Sequence, residues 1–162
     1  MFKLIIFLAL MHKTLCSFSN VVVYPNISDD GIYRFYFVVE EGLTMSYWNT
    51  SRGTEQIVVK LNDKYFLRDR RTTTSCGNVF LMDEKLLDSI VIGAGKHKEM
   101  LLVNNTLPGP PIVVPLNSTV QITVTNRMKT DALSMHWHGI VQFNTFYMDG
   151  VSRVTQCPIG PG

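Results

Sequence analysis

The sequence predicts an all-β domain of sandwich or barrel type, and three observations predict it. Short β-branched and aromatic runs recur along the 162 residues at near-regular spacing. Clusters of Gly, Pro and Asn separate them. Helical periodicity extends to no more than a single turn, at residues 82–87.

Taken in order, residues 33–39 form an aromatic and β-branched run bounded by Gly31 and Gly42. Residues 56–61 and 65–67 are further short strands, followed by 90–92, 100–103 and 112–114. In 119–125, Val120, Ile122 and Val124 alternate with Thr or Gln, the period-2 pattern of a half-buried strand. Residues 45–89 are the least legible stretch, and the charged cluster at 68–71 reads there as a solvated loop.

Composition narrows the function classes. Fifteen basic and thirteen acidic side chains give a net charge of +2, with only 17% charged residues. That balance argues against nucleic-acid binding through basic patches. A 46% hydrophobic content argues against disorder, and no apolar run reaches the roughly 18 residues of a membrane-spanning helix.

The chain opens with Lys3, the apolar run at 4–10, and small residues at Cys16, Ser17 and Ser19. This order describes a secretory signal peptide over residues 1–19, cut after Cys16 or after Ser19. The alternative is an N-terminal core strand. Export suits the four Asn-x-Ser/Thr glycosylation sequons at Asn26, Asn49, Asn104 and Asn117. Signal removal would leave Cys76 and Cys157, paired with each other or each with a partner elsewhere. The expected localisation is secreted, extracellular.

The most chemical string is Met135-His136-Trp137-His138-Gly139. Two histidines at i and i+2 of a strand share one face, where imidazoles suit copper, zinc, iron or nickel. A bare His-x-His is also compatible with two surface histidines flanking a packed Trp. A zinc module lacks further ligands at a sensible spacing.

Context separates these readings. Leu107-Pro-Gly-Pro-Pro-Ile112, a strand ending Val124-Thr-Asn126, His136-Trp-His-Gly139, Asp149-Gly150 and Gln156-Cys-Pro-Ile159 occur in order. From about Ile90 onward this series resembles the first cupredoxin domain of the multicopper oxidases, closest to laccase-like enzymes of animals. The resemblance implies an incomplete Greek-key cupredoxin-like (plastocyanin-like) β-sandwich over 90–162, preceded by an N-terminal strand and divergent insertion at 20–89.

It further implies metal ligands at His136, toward a type 2 copper, and at His138, toward a type 3 copper of a trinuclear cluster. Asp149 matches a family carboxylate that orients water and relays protons, although Asp-Gly is also ordinary turn chemistry. The partners implied are O2 and a small reducing substrate: a phenol, an aromatic amine or ferrous iron. Cys157 matches a cysteine that in several laccases bridges to the C-terminal domain, so a Cys76–Cys157 bond is not expected.

Two departures qualify the resemblance. The family's Trp-x-His-x-His and His-Cys-His strings are absent, and His12 and His97 cannot replace them. The expectation is therefore the N-terminal part of a secreted laccase-like oxidoreductase, without its C-terminal cupredoxin domains and inactive alone. The rival is a non-catalytic secreted cupredoxin-like fragment that binds copper or a partner.

Overall fold

The computed structural model describes residues 2–5, 25–27, 29–70 and 79–162. Among these residues ten strands run in chain order: β1 (Phe2–Ile5), β2 (Asn26–Ile27), β3 (Ile32–Thr44), β4 (Ser46–Asn49), β5 (Thr54–Leu61), β6 (Lys64–Asp69), β7 (Val79–Leu81), β8 (Lys98–Val103), β9 (Thr119–Asn126) and β10 (Val141–Gln142). Among the described residues helix is confined to two 3-10 segments, Glu84–Ser89 and Phe146–Met148. The all-β, cupredoxin-like class is what the structure has. The single helical turn expected near 82–87 appears two residues later, where the Asp83 carboxylate accepts from the Lys85 N–H and caps it.

Contacts divide the chain into two compact units. One holds residues 22–40 and 110–162 together with the first residues of the chain. Its strands follow the order β10-β1-β9-β3-β2. β3 and β9 run parallel, from Ile32 opposite Thr119 to Val39 opposite Asn126. Alternation explains the packing: Phe35, Phe37 and Val39 are buried while Tyr36 is exposed, and Val120 is fully buried opposite exposed Gln121.

Asn126 ends β9 as a clip. Its amide donates to the carbonyls of Asp131 (2.8 Å) and Ile159 (2.9 Å), and its Oδ1 accepts from Met128 N–H (2.9 Å). All three bonds are made inside the protein, so burying this amide to 1% exposure leaves no polar group unsatisfied there.

The second unit includes residues 41–109. Here β4, β5, β6 and β7 form an antiparallel meander, and β8 pairs with β3. Met45, Val58, Leu67, Met82 and Ile90 make its core, flanked by Tyr47, Tyr65, Leu86, Leu87 and Ile92. The described part of the stretch that resists reading from sequence, 45–70 and 79–89, thus contains an antiparallel sheet. The cluster at 68–71 is not a loop through its described part: Arg68 and Asp69 lie in β6 and Arg70 pairs with Glu55 at 2.7 Å.

Two expected strands are absent. Residues 112–114 lie between prolines 110, 111 and 115, which cannot donate to a ladder. Residues 90–92 run extended without a ladder, although the Val91 carbonyl accepts one bond from Met45 N–H (2.8 Å). Phe2–Ile5 of the expected leader form β1, paired with β9 and β10, whereas residues 6–19, both cleavage positions and Cys76 lie outside the described residues.

Candidate metal centre

His136 and His138 are not on a strand. They sit in an extended segment and the turn that follows it. The period-2 alternation survives nevertheless: Leu133, Met135 and Trp137 are half-buried, while Ser134, His136 and His138 are exposed. Met135 and Trp137 line an apolar pocket with Ile122 and Val124 of β9, so the greasy side of the segment faces the sheet. The two imidazoles stand on the other side with centroids 5.7 Å apart and planes tilted by 66°.

The segment is anchored at Leu133, which exchanges backbone hydrogen bonds with Ile159 (3.0 and 2.7 Å), and at its histidine end by one carbonyl. The Asp149 main-chain oxygen accepts from Trp137 N–H at 3.0 Å and from His136 Nδ1 at 2.7 Å. A carbonyl can only accept, so Nδ1 carries the hydrogen and Nε2 of the neutral ring presents its lone pair outward. This is the tethering that orients metal-ligating histidines. The turn past His138 is closed by Gly139 in the left-handed region, φ +73°, where a side chain would be strained.

Asp149 is itself held by the turn it begins. Its Oδ1 accepts from the Thr155 hydroxyl at 2.5 Å and from Val151 N–H at 3.2 Å. The Thr155 bond, then the Val151 N–H, hold the carboxyl below its ordinary pKa; partial burial opposes them and nearby His136 adds to them. Asp149 therefore stays ionised beside the ring pair. It lines an open cleft of about 320 Å³ with His136, Trp137, Ile140, Gln142 and Phe146.

The donor set fits part of a copper shell. Two exposed imidazoles, one with a defined tautomer, are the nitrogen donors copper favours. Among the described residues no third His, Cys, Asp or Glu joins them. His97 lies in the other unit, its Nδ1 3.1 Å from the Thr44 carbonyl and its Nε2 3.8 Å from Glu55, which makes it a structural residue. Cys157 is a free, exposed thiol. Of the sequon asparagines, Asn104 and Asn117 lie in turns at positive φ, Asn26 lies in β2 and Asn49 ends β4; Asn117 is exposed whereas Asn49 and Asn104 are half-buried.

Sequence reasoning finds His136, His138 and Asp149 but misses Thr155 and the clip at Asn126. Thr155 directly precedes the Gln156-Cys-Pro-Ile159 stretch, yet nothing in its spacing announces a bond to Asp149. Asn126 is legible only as a polar strand terminus.

An extended His-x-His segment, its first ring tied through Nδ1, thus lies against a β-sheet of cupredoxin-like class. The comparisons agree. A family model described as Multicopper oxidase matches residues 88–162. Laccase-1 of Botryotinia fuckeliana is 44% identical over 68 residues, which are 42% of this chain and 12% of that protein. Laccase of Cryphonectria parasitica is 44% identical over 64 residues, 40% of this chain and 11% of the laccase. Oxidoreductase GME11365 of Pestalotiopsis microspora is 50% identical over 69 residues, again 42% and 11%. Residues 88–162 match the multicopper oxidase family model and are similar to a segment of these laccases. The chain spans little more than a tenth of the length of the relatives it matches.

Proposed function

We propose that this chain carries the first pair of copper ligands of a secreted, laccase-like oxidoreductase, which couples one-electron oxidation of a small reducing substrate to reduction of O2 to water. The observation that supports this best is the ring pair: His136 and His138, 5.7 Å apart, with the His136 tautomer set by the Asp149 carbonyl, inside the segment that matches the family. Bound copper would supply the one-electron redox chemistry and the affinity for oxygen.

This chain's own residues have separate tasks. His136, through Nε2, would serve the type 2 position, and His138 a type 3 position. Met135 and Trp137 turn the apolar side of the segment toward Ile122 and Val124 of the sheet. The Asp149 carboxylate, which lines the same open cleft as His136, would take and pass on a proton there. Export through a cleaved leader, with glycans at Asn26, Asn49, Asn104 and Asn117, completes the reading.

A second reading, a non-catalytic secreted copper-binding chain, is favoured by the lack of a third ligand among the described residues. One experiment addresses both. Titration of the 162-residue chain with Cu(II) should show weak binding lost in His136→Ala and in His138→Ala, without blue absorption or phenol oxidation, since two imidazoles leave most positions to water. Binding that both variants retain would refute the ligand assignment. The oxidase reading then requires that the same substitutions, in a chain carrying all the family's copper motifs, abolish O2 reduction; retained O2 reduction would leave the second reading.

A further inference from the structure

We infer that Thr155 is a positioning residue of this site: its hydroxyl holds the Asp149 carboxylate so that the Asp149 carbonyl fixes the His136 ring with Nε2 toward the metal. The inference rests on the reading of His136 as a copper ligand and extends it to a residue seven positions before the end of the sequence.

The geometry is a short relay of contacts within one unit. Thr155 Oγ1 donates to Asp149 Oδ1 at 2.5 Å; its distance to the Val151 carbonyl is 3.2 Å, so the one hydroxyl hydrogen goes to the carboxylate. The same Oδ1 accepts from Val151 N–H, so the Asp149 side chain is clamped over the turn it opens. Residues 151–156 close that turn through Thr155 N–H to the Val151 carbonyl (3.1 Å) and Arg153 N–H to the Gln156 carbonyl (2.7 Å). With side chain and following turn both fixed, the Asp149 peptide plane has little freedom. Its carbonyl then points at the two groups that define the ligand segment, Trp137 N–H and His136 Nδ1.

Without the hydroxyl, Asp149 Oδ1 keeps a single long bond, and the Asp149 carbonyl loses part of what holds it on His136 Nδ1. The His136 ring would then exchange between its two tautomers, and only one of them offers Nε2. Partners at this remove from a metal typically change affinity by about 10- to 100-fold.

The test uses the whole chain without metal, at a pH of about 8, above the ordinary imidazole pKa of about 6.5. The 15N shifts of the His136 ring should report a single Nδ1–H tautomer in the parent and in Thr155→Ser, which keeps the hydroxyl. Thr155→Val should give averaged shifts, and its Cu(II) binding should weaken by about tenfold, with Thr155→Ser within about threefold of the parent. Should Thr155→Val fail to fold, Thr155→Ala carries the same measurement, because it removes the hydroxyl without adding a methyl against Asp149. Unchanged His136 shifts in the variant lacking the hydroxyl, or no rescue by Ser, would overturn the inference. If His136→Ala also leaves copper binding intact, it is the ligand reading that fails; if His136→Ala weakens it, the failure is confined to Thr155.

Discussion

Gly150 lies so close to Met135 that a Cβ on Gly150 would overlap the Met135 carbonyl oxygen. Its φ of +80° is also one that L side chains avoid. The Asp149-Gly150 turn and the histidine segment are therefore packed backbone against backbone. The hydrogen bonds from Trp137 and His136 to the Asp149 carbonyl are made possible by that approach.

Gly150→Ala should consequently act on the site and not on stability alone. The left-handed backbone costs about 1 kcal/mol for Ala, and separating the two backbones adds more, so a total above about 2 kcal/mol is expected. Chemical denaturation should show the lowered midpoint, and His136 ring shifts should change with it. A stable variant with unchanged shifts would show that the close approach has no role.

Acid should destabilise the fold as carboxylates held ionised in the folded state take up protons. The Arg34 guanidinium, bidentate at 2.7 and 3.0 Å, and the Ile32 N–H hold Asp30 down at about 2 from an ordinary 3.8. Burial raises Glu55, but hydrogen bonds from Arg70 and Ser46 outweigh it and leave a net lowering. A carboxyl lowered in the folded state contributes stability that is present above its ordinary pKa and lost as pH falls through the folded one. For Asp30 the window is from near 3.8 down to about 2. Arg34→Ala should flatten the pH dependence of the denaturation midpoint in that window and leave it unchanged at neutral pH apart from a constant offset. Both pairs reach solvent, so added salt should shrink the effect.

The legible parts of this chain are those where one side-chain property fixes the structure. Alternation at Val120, Ile122 and Val124 marks β9, and the aromatic run marks β3. The His-x-His string marks the site even though no ladder forms there, because extended backbone alone keeps both rings on one face. The meander from Ser46 to Leu81 was opaque for a physical reason. Its β7 is exposed at all three positions, and β5 buries only Gln56 and Val58, so hydrophobic alternation is too diluted to read. Thr155 and Asn126 act through hydrogen bonds to residues 6 and 33 positions away, and a residue type at a single position does not encode such a partner.

Processing offers a separate test. The leader reading puts the mature N-terminus between Ser17 and Asn20, which removes β1 from between β9 and β10. Peptide mass mapping of secreted protein should find that terminus, and glycosidase treatment should shift its mobility. The mature chain should also aggregate more readily than one retaining residues 1–19, because Thr119, Val120, Val141 and Gln142 lose their β1 partners and expose a sheet edge. Secreted protein still beginning at Met1 would refute the leader.

Met45 supplies a sharper stability prediction, because it carries two opposed effects at one position. It sits between β3 and β4 at φ +50°, a conformation unfavourable to any residue with a Cβ, yet it is 1% exposed and central to the core of Val58, Leu67, Met82 and Ile90. Its N–H donates to the Val91 carbonyl and its carbonyl accepts from Val58 N–H, both at 2.8 Å, so the backbone is held in that conformation by its neighbours. Met45→Ala removes the core side chain and keeps the strain, and should cost about 2–5 kcal/mol. Met45→Gly removes the same side chain and relieves the strain. In an ordinary extended strand Gly would be worse than Ala by about 0.5–1 kcal/mol; here Gly should equal or exceed Ala in stability. Equilibrium denaturation of the two variants decides it, and a Gly variant weaker than Ala by that ordinary margin would show that the positive φ at Met45 stores no strain.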